Sequence, residues 1–184
     1  MPRTRYDKAF CVEWIGNDKL AVSTKCGHIL RVDRTTHVVR EVDMEGPRWI
    51  EPPIVSEDDL HRFRVDRGGI HCIRSNGSQN LLACSGGRAE NHHVYVLNLR
   101  SEKWATVRRG VGHTDWVFCL SWISDSTFVT GSRDMTIKLW SPHLSSGYDM
   151  PPVASYSDVH EGKVSSPCCP PAQHLEARIE SAEA

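Results

Sequence analysis

The fold is decided by residues 112–140, which read GHTDWVFCLSWISDSTFVTGSRDMTIKLW. This stretch contains three short apolar or alternating segments, at 117–122, 127–130 and 136–140. Between them, residues 124–126 and 131–134 consist of Ser, Asp, Gly and Arg, and the first three of these types favour tight turns. Short segments divided by such turns are typical of an antiparallel β-sheet. The stretch therefore predicts three β-strands and leaves no place for a helix.

The same pattern occurs twice more in the chain. Residues 9–15 (AFCVEWI) align without a gap on 117–123 (VFCLSWI), and the same constant offset continues through the next segment of both copies. A further copy contains the segments 70–73, 81–87 and 94–97. Self-similarity of this kind is the signature of a repeat architecture, in which each unit is one small sheet.

The three copies together span residues 8–141, or about 45 residues each, which is the size of one four-stranded propeller blade. We therefore predict an all-β fold, a β-propeller with about three blades. The predicted organisation is an N-terminal stub over 1–7, blades over 8–45, 64–104 and 112–141, an inter-blade loop over 46–63, and a mostly disordered tail over 142–184. Prolines interrupt the strand pattern in both the loop and the tail.

Large or apolar residues that recur at matching positions of the copies are predicted to form the core. They are the tryptophans at 14, 122 and 140 and the cysteines at 11, 72 and 119. Trp49 and Trp104 have no such matching position, so the sequence constrains their burial less.

Composition excludes several classes of protein. A chain of 184 residues has room for one domain and a tail, and its net charge of −1 argues against binding nucleic acid through phosphate neutralisation. Its apolar runs are too short to cross a membrane. The seven cysteines are odd in number and do not suggest a disulfide framework. We therefore expect a reducing compartment, the cytoplasm and nucleus.

No motif for metal binding or catalysis is complete. Cysteines and histidines that lie close together do not have the spacing of a zinc site; these are Cys26 with His28, His71 with Cys72, and His92 with His93. The glycine pairs at 68–69 and 86–87 lack the residues of a phosphate-binding loop or a nucleophile elbow. We therefore expect a non-catalytic protein without a metal ion or other cofactor.

The third copy resembles the WD-repeat blade, because the pair Gly112-His113 is followed by Asp134 and then by Trp140. In that family the His, the turn Asp, a strand hydroxyl and the Trp form a buried hydrogen-bonded set. The resemblance implies that the set here is His113, Asp134, Trp140 and either Thr130 or Ser132. Its role is structural, since the partners satisfy polar groups that are costly to bury alone.

Longer stretches are similar to one class of WD-repeat protein. They are TKC at 24–26, RGGIH at 67–71, NLLA at 80–83, GHTDWVF at 112–118 and WISD at 122–125, followed by GSRD at 131–134. In this order they resemble the WD-repeat substrate receptors of cullin-four ubiquitin ligases, the DDB- and CUL-associated factor class, and within it the group numbered twelve. The resemblance implies an adaptor that docks on the damaged-DNA-binding adaptor subunit and presents substrates for ubiquitination. It also implies recognition of acidic C-termini of the Glu-Glu type, with neither nucleic acid nor membrane as a partner.

Three cations are candidates for that recognition. Lys25 and Arg133 fall on the same position of their blades, and Lys8 occupies the position that Trp116 holds in the third blade. Starts of inner strands and turns after second strands share one rim of a propeller, so we expect Lys8, Lys25 and Arg133 to point into one pocket. Their motifs match the degron-binding positions of the class, and Arg suits bidentate binding of a carboxylate.

Two features of the sequence differ from what a complete receptor of this class requires. Trp140 is followed by Ser-Pro-His instead of a Trp-Asp-x-Arg box, and a closed propeller needs at least four blades. We therefore expect a fragment or truncated form of marginal stability, in which adaptor binding is open. The alternative is a WD-repeat interaction scaffold of another complex.

Overall fold

The structure of the protein, a computed structural model, describes residues 8–25, 27–42, 69–85, 92–100 and 102–157. The predicted stub at 1–7, the inter-blade loop at 46–63 and the part of the tail from 158 onward lie outside these residues. Every regular element in the described part is a β-strand, so this part holds no helix that could cross a membrane.

Thirteen strands of the described part form three sheets that pack face against face. The first sheet contains β1 (Ala9–Ile15), β2 (Lys19–Thr24), β3 (Ile29–Asp33) and β4 (Val39–Val42). The second contains β5 (Ile73–Ser75), β6 (Leu81–Ser85), β7 (Val94–Asn98), β8 (Ala105–Gly110) and, at its edge, β12 (Asp149–Met150). The third contains β9 (Val117–Ser124), β10 (Thr127–Ser132), β11 (Ile137–Trp140) and β13 (Ala154–Tyr156). The prediction of an all-β fold with three blades is confirmed.

Alternation along the strands decides which side chains enter the space between blades. In the third blade Phe128 pairs with both Trp122 and Trp140, so these three residues share one face of the sheet. Phe128 and Trp140 are fully buried against the second blade. A second cluster, which includes Ile15, Ile29, Ile73 and Trp104, fills the space between the first and second blades. Each large side chain buried in this way contributes about 1.5–3 kcal/mol relative to exposure.

Polar contacts between hairpin turns also link the second blade to the third. Asn76 lies in the turn between β5 and β6 and is 2% exposed. Its Nδ2 group donates to Ser78, to Asn80 and to the backbone carbonyl of Asp125 in the third blade. Its Oδ1 atom accepts from the amides of Asn80 and Leu81. The side chain therefore satisfies its own polar atoms while it links two blades.

The third sheet continues beyond Ser141, where the sequence placed the end of the blade. The strand β13 pairs with β11, and the amide of Val153 donates to the carbonyl of Leu139. The preceding strand β12 pairs instead with β8 of the second blade and buries Met150. These strands are only two and three residues long and flank Pro151-Pro152, so the local pattern did not reveal them.

Burial of the tryptophans differs from the prediction in two places. Trp140 is buried and Trp122 is half-buried, but Trp14 is 52% exposed, so the prediction that Trp14 belongs to the core is wrong. Trp14 shares its face of β1 with Val12, which is also 52% exposed, and no neighbouring blade covers these two side chains within the described residues. Trp104, which the sequence left less constrained, is fully buried.

Candidate functional site

The rim turn after the second strand has the same hydrogen bonds in the first and third blades. The amide of Lys25 donates to the carbonyl of Lys8, and the amide of Arg133 donates to the carbonyl of Trp116, both at 2.8 Å. Each donor and each acceptor aligns with its counterpart at the constant offset between the two copies. Lys25 and Arg133 therefore hold the same backbone position in their blades, and Lys8 is paired with Lys25 at the start of β1.

The left-handed residue of this turn is also repeated. Gly27 has φ 81° and its amide donates to the carbonyl of Thr24; Met135 has φ 63° and its amide donates to Ser132. Positive φ is easy for glycine and costs energy for methionine. The turn geometry is therefore preserved although one of the two sequences does not favour it.

Stacked aromatic rings connect the rim ends of the first and third blades through the middle blade. Phe10, His71 and Phe118 hold equivalent positions on the inner segments of the three blades, since each directly precedes the cysteine of its segment. The His71 ring stacks on Phe10 at 5.1 Å and on Trp116 at 5.2 Å, and meets Phe118 edge-on at 5.1 Å between ring centroids. The His71 imidazole thus lies between the rim end of the first blade, which holds Lys8, and the rim end of the third blade, which holds Arg133.

The position of the His71 ring between Phe10 and Trp116 determines its protonation state. Its Nε2 atom is buried and has no hydrogen-bond partner within the described part of the chain. Burial lowers the pKa of His71, because an imidazolium would lose its hydration among the rings. Its amide and that of Cys72 donate to the Ser85 hydroxyl, which fixes the backbone. His71 therefore acts as a neutral spacer that positions Phe10 and Trp116.

Gly69 holds the position in the middle blade that Lys8 and Trp116 hold in the others. A Cβ atom at Gly69 would lie 2.5 Å from a ring carbon of Phe10 and 3.0 Å from the Lys25 carbonyl oxygen. A side chain there would displace one of these neighbours. The glycine thus allows the first blade to approach His71.

Charge at this rim is mostly positive and exposed. Lys8, Lys25 and Arg133 are all exposed, and the aromatic rings of Phe10 and Trp116 are about 40% exposed beside them. Arg133 has an acidic neighbour, since its Nε atom lies 3.6 Å from the Asp115 carboxylate. We define the rim site as Lys8, Phe10, Lys25, Trp116 and Arg133. Such a surface offers cations for carboxylates and ring faces for the carbon atoms of a ligand.

Behind this rim, the third blade contains a chain of buried hydrogen bonds. His113 contacts the Asp134 carboxylate through Nδ1 at 2.8 Å and the Thr130 hydroxyl through Nε2 at 2.7 Å. The indole N–H of Trp140 donates to the same hydroxyl at 2.7 Å. The sequence left Thr130 and Ser132 as alternatives, and it is the Thr130 hydroxyl that takes part in this series of hydrogen bonds. The Ser132 hydroxyl instead donates to the Asp115 carbonyl and accepts from the Asp134 amide.

The donor and acceptor groups of these side chains determine where the protons lie in this series of hydrogen bonds. A carboxylate only accepts, so Nδ1 of His113 donates to Asp134; the Thr130 hydroxyl accepts from Trp140 and can donate to Nε2. Burial lowers the pKa of His113, which keeps the ring neutral. Burial opposes the charge on Asp134, but hydrogen bonds from Thr136, Thr114 and His113 outweigh it and hold the pKa of Asp134 well below its usual range.

Comparison with known proteins assigns the chain to a family. Residues 4–160 match the sequence model of the DDB1- and CUL4-associated factor 12 beta propeller. The chain belongs to this family. The match confirms the resemblance drawn from the sequence, and because proteins of this family are adaptors, the chain is a non-catalytic binding protein.

A more distant similarity covers part of the propeller. Over 63 residues the chain is 36% identical to a guanine nucleotide-binding protein subunit beta of Lymnaea stagnalis. The matched segment is 34% of this chain, and the chain spans 18% of the length of that relative.

The sequence analysis singled out the three cations of the rim site, but neither its rings, Phe10 and Trp116, nor the His71 ring that lies between them. The alignment of the copies could have found Phe10 and His71, because it places these residues opposite Phe118. No group of three or more possible metal ligands occurs in the described ranges.

Proposed function

We propose that this DCAF12-family propeller is the substrate-recognition part of a cullin-four ubiquitin ligase, and that it binds proteins ending in an acidic C-terminus of the Glu-Glu type. Family membership supports the role of substrate receptor, and the damaged-DNA-binding adaptor DDB1 is the partner that the family's name indicates. The receptor would raise the local concentration of a substrate lysine near the ubiquitin-loaded enzyme, so proximity is the mechanism. We place this function in the cytoplasm and nucleus.

The observation that carries the degron proposal is the repeated rim hydrogen bond. It gives Lys25 and Arg133 the same backbone position in two blades and pairs Lys8 with Lys25. A C-terminal Glu-Glu pair carries three carboxylates, so the three cations of the rim site would provide one partner for each. The exposed faces of Phe10 and Trp116 would pack against the carbon atoms of the peptide.

The test measures binding of a fluorescent peptide that ends in Glu-Glu with a free carboxylate, and of the same peptide with an amidated end. We expect amidation to weaken binding at least about tenfold, because it removes a charge-assisted hydrogen bond. Lys25→Ala and Arg133→Ala should each weaken binding of the free-acid peptide by a similar factor. Lys103→Ala, which removes an exposed cation from a turn away from the rim, serves as the matched control and should have no effect.

Equal affinity for the free-acid and amidated peptides would contradict the C-terminal degron while leaving the receptor role intact. The receptor role has its own test, the recovery of DDB1 and cullin-four with the tagged chain from cells. Their absence, together with recovery of another stable set of partners, would favour the second candidate function. That function is an interaction scaffold, to which the similarity with the guanine nucleotide-binding protein subunit beta lends support.

A further inference from the structure

Neighbouring blades pack on one another through two different faces, which the sequence repeat makes comparable from blade to blade. One face carries the cysteine of the inner segment, which is Cys11, Cys72 or Cys119. We call it the cysteine face. The opposite face carries the residue directly after that cysteine, because successive side chains of a strand point to opposite faces. Every blade therefore has one cysteine face and one opposite face.

The two junctions between blades have the same order of faces. Ile15 on the cysteine face of the first blade and Ile73 on the opposite face of the second belong to one buried cluster. Cys72 on the cysteine face of the second blade and Leu120 on the opposite face of the third belong to the other. The Cys11 thiol donates to the Ile73 carbonyl at 3.8 Å. The Cys72 thiol donates to the Leu120 carbonyl at 4.0 Å. Each junction thus joins the cysteine face of one blade to the opposite face of the next.

The opposite face of the first blade is apolar and exposed. Val12 and Trp14 lie on it, and each is 52% exposed. Trp14 pairs with Leu20, which pairs in turn with Val32, so these side chains share the face. In the third blade the aligned residues pack against the second blade; they are Leu120, Trp122, Phe128 and Trp140. The first blade therefore exposes a face that its counterpart buries against a cysteine face.

The cysteine face of the third blade lies at the other end of the row of blades. Cross-strand pairing and alternation place a set of apolar side chains on it: Ile123, Val129, Ile137 and Leu139. Ile123 is only half-buried, whereas its counterpart Ile15 is 6% exposed beneath the second blade. The counterpart of Glu13 is Ser121, so the carboxylate of the first junction is absent from this face. The third blade thus offers an apolar cysteine face of the kind that packs on an opposite face.

We propose that two copies of the chain associate head to tail, with the cysteine face of each third blade against the opposite face of the other copy's first blade. This contact repeats the order of faces at both junctions within the chain. Two-fold symmetry produces it twice, so the end faces of both copies are covered. The pair contains six blades, and closed propellers have about 4–8. Closure would bring the rim sites of both copies around one central opening.

A polar contact at an existing junction specifies the new one in more detail. The indole N–H of Trp122 donates to the Arg74 carbonyl of the second blade at 2.9 Å. Trp14 is the counterpart of Trp122. Ser121 is the counterpart of Arg74, because both lie two residues after the cysteine. In the pair of copies, the Trp14 indole therefore donates to the Ser121 carbonyl of the second copy. Tryptophans buried in this way contribute strongly to association.

The mass of the particle as a function of concentration tests the association. Sedimentation equilibrium of the full chain is measured from about 1 to 100 μM, where a pair of moderate affinity forms and separates. We expect the mass to rise from 20.7 kDa to twice this value and no further. On dilution the copies separate, and the opposite face of the first blade is then exposed to solvent.

Lysine substitutions on either face should weaken the association. Trp14→Lys and Ile123→Lys each place a charge in an apolar junction, so each should raise the dissociation constant at least about tenfold. Leu144→Lys is the matched control, because Leu144 is 76% exposed on a turn outside both faces, and it should leave the dissociation constant unchanged. Far-ultraviolet circular dichroism of each variant checks that the sheets are retained.

Mixing the two variants tests the head-to-tail order. In a pair made of one Trp14→Lys copy and one Ile123→Lys copy, both lysines fall in the same junction and the other junction is unaltered. The mixture should therefore associate more tightly than either variant alone. Contact between two first blades would put Trp14 of both copies in one junction, so mixing would restore no unaltered junction.

Three results would overturn the proposal. A mass of 20.7 kDa at every concentration would leave the two faces to another part of the chain or to another protein. A mass that rises beyond two copies would show that the contact does not close. Association that Trp14→Lys leaves unchanged would show that a different surface is used. None of these results depends on recognition of acidic C-termini, which the peptide titration tests separately.

Discussion

At the scale of single residues, the third blade depends on the hydroxyl group of Thr130. Thr130→Val keeps the shape of the side chain but leaves the indole N–H of Trp140 and Nε2 of His113 without this partner. We expect a loss of about 1–3 kcal/mol in the free energy of unfolding, measured by urea denaturation followed through tryptophan fluorescence. Thr130→Ser keeps the hydroxyl and should lose less than half as much. Equal stability of the two variants would refute the role of this hydroxyl.

Also at this scale, Asp115 competes with any anionic ligand for Arg133. Both side chains are substantially exposed, so the pair is worth only about 0–1 kcal/mol. If the rim site binds acidic C-termini, Asp115→Asn should therefore strengthen binding of the Glu-Glu peptide by up to about fivefold. The measurement is the same peptide titration, with Asp125→Asn as the control at the opposite end of the β9 strand. Weaker binding by Asp115→Asn would indicate that Asp115 orients Arg133 instead of competing for it.

At the scale of elements, the short strand β12 is held to β8 by two kinds of contact. Arg109 and Asp149 form a two-pronged ion pair at 2.7 and 2.8 Å, and Met150 buries its side chain near Gly110 and Trp140. The ion pair is exposed, whereas Met150 is 1% exposed, so the apolar contact should dominate. We expect Met150→Ala to lower the free energy of unfolding by about 2–5 kcal/mol and Asp149→Asn by less than about 1 kcal/mol. Chemical denaturation of both variants checks this order, and the reverse order would contradict it.

The strands and turns also show which features could be predicted from the sequence. The constant offset between the first and third copies predicted that Lys25 and Arg133 are equivalent, and the two rim hydrogen bonds at 2.8 Å repeat at that offset. Trp14 was placed wrongly because recurrence at matching positions of the copies does not say whether a neighbouring blade covers that face of β1. The rings of the rim were missed because Phe10 and His71 differ in chemistry although they hold one structural position. Strands β12 and β13 were missed because their pairing partners are distant and their own sequences are too short to show a period.

At the scale of the whole molecule, buried histidines should make stability depend on pH. Burial is the main cause that lowers the pKa of His71, His93 and His113. The unfolded chain therefore binds more protons than the folded chain once the pH falls below about 6.5. The contribution of the neutral rings is fully present above that pH and is lost as the pH falls through the folded pKa values.

The measurement is the free energy of unfolding between pH 7.5 and 5.5. It should decrease toward acid, with at most about 1.4 kcal/mol per pH unit from each histidine. His113→Gln should reduce this slope, although it also lowers stability at every pH. An increase in stability toward acid would contradict the assignment of neutral rings.

The outer face of the first blade supplies a second prediction at this scale. Val12 and Trp14 are each 52% exposed on one face of β1, while Ile15 on the other face is 6% exposed. Val12→Lys together with Trp14→Lys should reduce the binding of a hydrophobic dye at least about twofold and change the free energy of unfolding by less than about 1 kcal/mol. Ile15→Lys should unfold the first blade. If the double variant unfolded as well, the face would not be exposed in solution.

The polar link between the second and third blades has a consequence for chemical ageing. Asn76 is followed by Gly77, and in flexible chains this dipeptide deamidates readily, because the glycine amide nitrogen can attack the asparagine side chain and form a cyclic imide. In the folded protein the five hydrogen bonds of the Asn76 side chain hold it away from that attack. A chain that unfolds for long enough acquires an aspartate here, and its new oxygen would face the Asn80 and Asp125 oxygens that previously accepted hydrogen bonds. Deamidation at Asn76 would thus record how long a molecule has spent unfolded, and it would hinder that molecule from folding again.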